Sequence, residues 1–469
     1  MSTFSGLNTA NTALWAAQRA MDVTGQNIAN VNTDGYSRQR VDLQSIGGTA
    51  VPAIYAVSDQ VGGGVDSDQV SRIRDAFLEG RAQTEHGATA SLTAQSSALD
   101  QIEQAFREPG DTGIQAMLSS VWAGWGDVAK APTDLGARAQ LLQRSQTLVA
   151  GMHATSAALD QQWSQVHDSL QTLVTDANAT AASIADLNQA IKRATQSNLP
   201  SNELQDKRDT LIMHLSEQLG ATATPMEDGT LNVVVGSTTL VAGNTALQLA
   251  LTPPSGDPTA ATSPPSLVTV PGGTTIRPGG TADGALTAMT SIIPRYRDKL
   301  DAVAQQFAAQ VNTVHEQGYD LTGTLGKAMF ANGSSTPGPI TAANISLAIT
   351  GEEQLAAATL SPADAGGPSA DAGMAGKIYQ LRLDSAGSDA SYRQMIVSLG
   401  VESTTTSSNL ATQSVVSTQV DASRESTSGV NIDEEMTNML QFQHGYAAAG
   451  KLVSTISTML DDLMNMVGR

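Results

Sequence analysis

A chain of 469 residues exceeds what one hydrophobic core serves, so two to four domains are expected. Asp and Glu total 45 against 25 Lys and Arg, and the resulting charge of −20 repels phosphate backbones and anionic lipid, which argues against nucleic-acid and membrane partners. There is no cysteine, hence no disulfide framework and no thiolate zinc site, and no run approaches the ~20 apolar residues of a membrane span.

Only 15% of the residues are charged, well under the usual ~25%. Ser, Thr, Gln, Asn and Ala fill the gap, and such a surface packs against copies of itself with little charge to desolvate. The amino terminus has neither a basic n-region nor an unbroken apolar run, so no cleaved secretory signal is expected.

The first predicted element is a heptad helix over residues 1–36. Leu7, Leu14, Met21 and Ile28 fall seven apart, interleaved with Ala10, Ala17, Thr24 and Val31, before Asp34-Gly35 breaks the pattern. Residues 37–75 read as extended hairpins and loops, with β character at Val41–Leu43 and Val51–Val57. Residues 76–221 read as a helical rod. One helical stretch reaches Phe106 and stops at Pro109-Gly110. A 4-3 pattern then holds from Leu142 to Ala194, with thirteen of sixteen positions apolar, which makes a helix of about 80 Å at 1.5 Å per residue. Gly151 in its middle costs only ~1 kcal/mol and does not break it. Asn198–Ser201 turns the chain, and a return helix from Asn202 ends before Gly220.

Residues 222–283 change to short strands around turn signals such as Glu227-Asp228-Gly229, read as a small inserted β domain. Residues 284–427 return to the rod. Helix resumes from Ala285 to Gln317, with a kink expected at Pro294. The segment 320–390 is irregular, with short strands around 340–349 and a helix around 372–383. A Ser/Thr-rich helix follows from 391 to 426, where Gly400 is a candidate break. The last element, 428–469, is a second heptad helix. Phe442, Tyr446, Ala449, Val453, Ile456, Leu460, Leu463 and Val467 form its seam, and Asn431 with Glu434 suits a capping box at its start. Asp433, Glu434 and Glu435 complement the helix dipole there. The fold class is therefore mainly α with β insertions, an elongated multi-domain chain whose terminal helices pair as a coiled coil.

No catalytic constellation emerges. The six histidines share no metal-ligand spacing, and His315-Glu316 lacks the second histidine of a metalloprotease helix, so it reads as a solvated surface pair. Gly62-Gly63-Gly64 has no following Lys-Ser or Lys-Thr, and so is no phosphate loop. Asp461-Asp462 lie off the seam on a wetted face. No cofactor, no metal and no enzymatic activity are expected.

The stretch from Ser5-Gly-Leu-Asn-Thr through Gly25-Gln-Asn-Ile-Ala-Asn-Val-Asn-Thr-Asp-Gly-Tyr36 resembles the amino-terminal signature of the bacterial flagellar axial proteins. Ser428–Met436 and Gln441–Tyr446 are similar to their carboxy-terminal signature. Ser37-Arg38-Gln39, Asn202–Asp209 and His315–Gly323 are similar to the hook-associated members. The signature positions carried over are Asn27, Asn30, Asn32, Gly35, Tyr36, Asn431, Glu434 and Glu435.

What the resemblance implies is a structural adaptor between hook and filament. It would be exported through the flagellar channel without a cleaved signal and placed outside the cell. Implied partners are further copies of the chain in a ring, the hook protein, a second junction protein, and an export chaperone at the carboxy-terminal helix. The assembly seam would comprise Leu7, Leu14, Met21, Ile28, Phe442, Tyr446, Val453, Ile456, Leu460 and Leu463, unsatisfied in the single chain and ordered by neighbouring subunits. Two alternatives stay open: a hook or filament polymer subunit of the same family, and an exported ligand-binding adhesin using the β insert.

Overall fold

The computed structural model describes residues 3–47, 62–253, 264–365 and 371–467, and the expected strand at Val51–Val57 lies outside them. Helix α1 (Thr3–Ala29) precedes an antiparallel hairpin of β1 (Gln39–Ile46) and β2 (Gly64–Arg72), with Gln39 opposite Arg72 and Ile46 opposite Gly64. Helices α2 (Ala76–Phe106), α3 (Ile114–Lys130), α4 (Leu135–Gln196) and α5 (Asn202–Leu219) follow. Strands β3 (Ala221–Pro225), β4 (Leu231–Val235), β5 (Thr238–Ala242) and β6 (Thr245–Ala246) make a four-stranded antiparallel sheet in sequence order. A second sheet has three strands, β7 (Gln248–Thr252), β8 (Ser266–Val270) and β9 (Thr275–Ile276). Helix α6 (Gly280–Thr287) passes through a π turn at Ala288–Ile292 into α7 (Ile293–His315). After the small pair β10 (Phe330–Asn332) and β11 (Ile345–Leu347) come α8 (Pro362–Ala365), α9 (Gly373–Gln380), and two long helices, α10 (Ser388–Ser428) and α11 (Ile432–Val467). The chain is mainly α with small antiparallel sheets inserted.

The chain divides into two compact units. The first comprises residues 1–87, 177–248 and 414–469. Its core forms where α5 and the end of α4 cover the four-stranded sheet through Ile184, Ile191, Ile212, Leu215, Val233 and Leu240. Asn188 joins helix to sheet: its amide nitrogen donates to the carbonyls of Leu231 (2.8 Å) and Gly243 (2.7 Å), and its amide oxygen accepts from Leu231 N–H (3.1 Å). Such a buried amide is tolerated because all these groups are paired. Gly220 closes α5 in the left-handed region at φ 67°.

The second unit comprises residues 88–176 and 249–413. Aromatic rings dominate its core. Trp122 meets Phe307 edge-on at 5.4 Å, Phe307 meets Phe330 at 5.0 Å, and Trp125 packs on His315 at 6.1 Å. Four of its aromatic polar groups find partners nearby, while the buried Trp125 Nε1 has none among the described residues. Trp122 Nε1 donates to Asp389, Trp163 Nε1 donates to the Met289 carbonyl (3.0 Å), and the hydroxyls of Tyr296 and Tyr392 donate to Glu402 (2.6 Å) and Glu108 (3.0 Å).

Several expectations need correction. The first helix stops at Ala29 instead of reaching 36, and Asn30–Gly35 form turns, so Val31 is not on it. Helix α3 was not anticipated, although its buried Ile114, Leu118, Val121, Trp122, Trp125 and Val128 fall on one helical face. Helix α10 runs through Gly400 without a break. The disturbance near Pro294 is a π turn just before it; proline has no N–H to offer the Thr290 carbonyl, and the wider turn absorbs the mismatch. His315 is not a surface residue. It is 0% exposed, at the end of the stripe Leu300, Ala304, Phe307, Val311, with Nδ1 2.6 Å from the Lys327 carbonyl and Nε2 accepting from Ala356 N–H at 2.9 Å. Burial holds its pKa below the ordinary histidine range, in keeping with a neutral ring that donates from Nδ1.

Close helix contacts constrain the second unit. A Cβ on Gly284 of α6 would meet the Ser91 carbonyl oxygen of α2 and lie 2.6 Å from Ala94 Cβ. Gly284→Ala is therefore expected to destabilise this unit by about 1–3 kcal/mol, since backbone cannot swing aside as a side chain does. Calorimetric unfolding checks it; an unchanged transition would mean that α6 does not pack this closely on α2.

Candidate functional site

The two ends of the chain come together in the first unit. Gly6 faces Ile456 Cδ1, 3.4 Å from the position of an added Cβ, while Gly25 faces Met439 Cε at 4.0 Å, so α1 and α11 run antiparallel. Ala10, Ala16 and Ala20 of α1 are buried, along with Val23, Thr24 and Asn27, and the small residues allow close approach of its neighbours. The seam residues Leu7, Leu14, Met21 and Ile28 are half-buried, as are Phe442, Val453, Ile456 and Leu460. Tyr446 and Leu463 stay largely exposed, at 42% and 44%. Met436, Leu440, Leu452 and Met459 of α11 also face solvent in the single chain, flanking the seam. The heptad reading did not single them out.

A polar hub locks the start of α11 to the end of α1. Asn27 is 1% exposed. Its Nδ2 donates to the Gln39 carbonyl (2.8 Å) and to Glu435 Oε2 (3.0 Å), and its Oδ1 accepts from the Tyr36 hydroxyl (2.8 Å) and Gln39 N–H (3.0 Å). Glu435, 2% exposed, also accepts from Arg38 Nε at 2.8 Å, while Arg38 Nη1 donates to Glu434 at 2.9 Å. The Arg38 N–H donates to the Ser428 carbonyl at 2.9 Å. Such a buried carboxylate is held by charge-assisted bonds on both oxygens.

The remaining signature positions shape the chain around this hub. Asn431 caps α11, its Oδ1 accepting from Asp433 N–H (2.9 Å) and Glu434 N–H (3.3 Å). Glu434 directs its carboxylate to Arg38. Asn30 bonds back to the Gln26 carbonyl (3.0 Å) and accepts from Thr33 (3.1 Å), and Asn32 is exposed in the same turn. Gly35 sits at φ 76° against Thr210 Oγ1, where a side chain would be strained and would collide.

Sequence reasoning missed a second polar cluster, which pins the hairpin to α5. Arg72 donates to Asp206 (2.7 Å), Asp209 (2.8 Å) and Gln205 (2.7 Å), and Arg74 pairs with Asp209 and Glu79. Asp206 and Asp209 belong to the motif noted at 202–209, but no local spacing links them to arginines more than a hundred residues away. Among the described residues, no group of His, Asp or Glu is placed to hold a metal ion. The arrangement is a set of joints between chain segments, with apolar surface beside it.

Two outcomes test these joints. Arg38→Ala leaves the Glu435 carboxylate buried without its cation and is expected to weaken docking of α11 by about 2–4 kcal/mol, read as faster hydrogen exchange across residues 432–445. Unchanged exchange would remove Arg38 from the lock. Tyr36 is pushed up to about 12, first by burial and then by Asp206, Glu435 and Glu203. Its contribution is fully present below the unfolded value of about 10 and is lost as pH rises from there through the folded value. Between those limits the unaltered chain should lose stability that Tyr36→Phe does not lose; parallel slopes in denaturant titrations would contradict this.

Three family models match the chain: "Flagellar hook-associated protein FlgK helical domain" over residues 99–330, "Flagellar basal body rod FlgEFG protein C-terminal" over 423–466, and "Flagella basal body rod protein" over 7–36. Flagellar hook-associated protein 1 of Bacillus subtilis is 28% identical, with 100% of this chain and 99% of that protein covered. Its namesakes in Escherichia coli and Salmonella typhimurium are 26% and 25% identical, each over 98% of this chain and 99% of their own length. A solved structure, that of the flagellar hook junction protein FlgK from Burkholderia pseudomallei, superposes with a TM-score of 0.63 at 18% identity, covering 76% of this chain and 100% of that one, and bears on the fold. The chain is similar from end to end to flagellar hook-associated protein 1, and its helical middle matches the FlgK helical domain.

Proposed function

We propose that the chain is a structural adaptor subunit joining the flagellar hook to the filament, and that its terminal heptad helices complete their folding on assembly. The observation that carries this reading is the apolar surface left on the paired ends: Met436, Leu440, Leu452, Met459 and Leu463 stay exposed on one helix. Burial of this exposed apolar surface by neighbours would supply a driving force for incorporation. The domain scheme read from the sequence goes with this reading, the terminal helices facing the inner tube and the inserted strands facing outwards.

Copies of the chain would stack in a ring by head-to-tail contacts, with hook protein on one side and a second junction protein, hook-associated protein 3, on the other. An export chaperone would cover the carboxy-terminal helix before secretion, an apolar helix held in a groove. The site of action would be extracellular, with no catalytic step. The terminal rod-protein matches favour one second reading, a polymer subunit of the hook or rod type.

Electron microscopy of a deletion strain separates these readings. The junction role predicts hooks of normal length without filaments and flagellin in the medium, whereas loss of the hook itself would favour the second reading. For the mechanism, Leu14→Asp or Ile456→Asp should leave the second unit folded and abolish incorporation. Normal incorporation of both variants would rule out the seam.

A further inference from the structure

Beside the paired helices, the first unit holds an open groove of about 1000 Å³ between α1, the β1–β2 hairpin and the turn into α5. Its walls are bonded to one another, which makes the shape preformed. Asn8 Nδ2 donates to the Gly63 carbonyl (3.3 Å), Arg19 Nη2 to the Asp68 carbonyl (3.0 Å), and Asn202 Nδ2 to the Val70 carbonyl (3.0 Å). Apolar side chains lie along it: Trp15, Ile46, Val65, Val70 and Leu204. Trp15 is 66% exposed, whereas Trp122, Trp125 and Trp163 are buried at 2%, 0% and 4%. A large ring fixed on a groove wall and left in water marks a surface awaiting cover.

The rim decides what covers it. Asp22, Asp66, Asp68 and Glu203 line the groove with one guanidinium, Arg19, which leans toward Asp68 at 4.0 Å. A second copy of this chain brings 45 acidic residues against 25 basic ones, so like charge opposes self-docking here. Cationic side chains suit both features, pairing with the rim carboxylates and stacking on the indole face. We propose that this groove docks a cationic amphipathic segment of a different protein, its apolar side chains against Trp15 and its lysines or arginines along the rim. This goes beyond the junction reading and stands without it.

The test titrates the full-length chain with a short helical peptide made only of lysine and leucine, with its glutamate-for-lysine counterpart as control. Trp15 reports directly, being the exposed tryptophan. The expected result is a blue shift on binding the lysine peptide alone. Affinity should fall about tenfold in Asp22→Asn/Asp66→Asn/Glu203→Gln and change less than about twofold in Asp100→Asn/Asp111→Asn/Asp298→Asn, which removes equal charge elsewhere. Equal weakening in both triples would overturn the proposal in favour of non-specific attraction to net charge. A silent Trp15, or equal binding of the glutamate peptide, would overturn it too. A blue shift that grows with protein concentration without peptide would assign the groove to a second copy instead.

Discussion

Everything at the chain ends depends on one buried carboxylate. Glu435 lies 408 positions from Asn27, yet the two share a hydrogen bond, with Arg38 closing the other side of the acid. Taking such an acid out of water is unfavourable unless both oxygens are satisfied, so α11 has one register on α1 at which the lock closes. The apolar seam supplies adhesion without strong register, because residues of similar size recur every seven positions. Apolar contact and polar lock thus divide the work: the first favours contact, the second selects alignment.

The helical parts of this fold were legible because they are local. A 4-3 repeat announces itself within a few turns, which is why α4 and α11 stand out in the sequence even across Gly151. Helix α3 carries an equally clear stripe, but over only 17 residues beside the much longer repeat of α4. His315 shows a related error: judged by its neighbour Glu316 it looks wetted, but judged by Val311 and Phe307 it belongs to the core. The end of α1 was overrun because Val31 fits the heptad, and only tertiary contacts show that Asn27 and Tyr36 turn the chain there.

The joints were not legible in the same way. Asn27, Tyr36 and Glu435 could be marked through family resemblance, but their partnership could not be deduced, since no periodicity connects them. The Arg72 and Arg74 cluster was marked only on its acidic side, by Asp206 and Asp209 within the stretch at 202–209. Polar joints between distant segments are set by topology, and topology is what a single sequence reveals least.

One consequence of the lock concerns timing. Closing a loop of some four hundred residues is entropically slow, and nothing between Asn27 and Glu435 shortens the search until the intervening units have formed. A chain emerging amino-terminus first, from a ribosome or from a narrow channel, presents α1 long before α11 exists to meet it. Its first helix can meet the hairpin that follows it, but the face that takes α11 stays open until almost the last residues are free. The molecule completes itself at its end, and whatever delays the release of the carboxy terminus delays both ends at once.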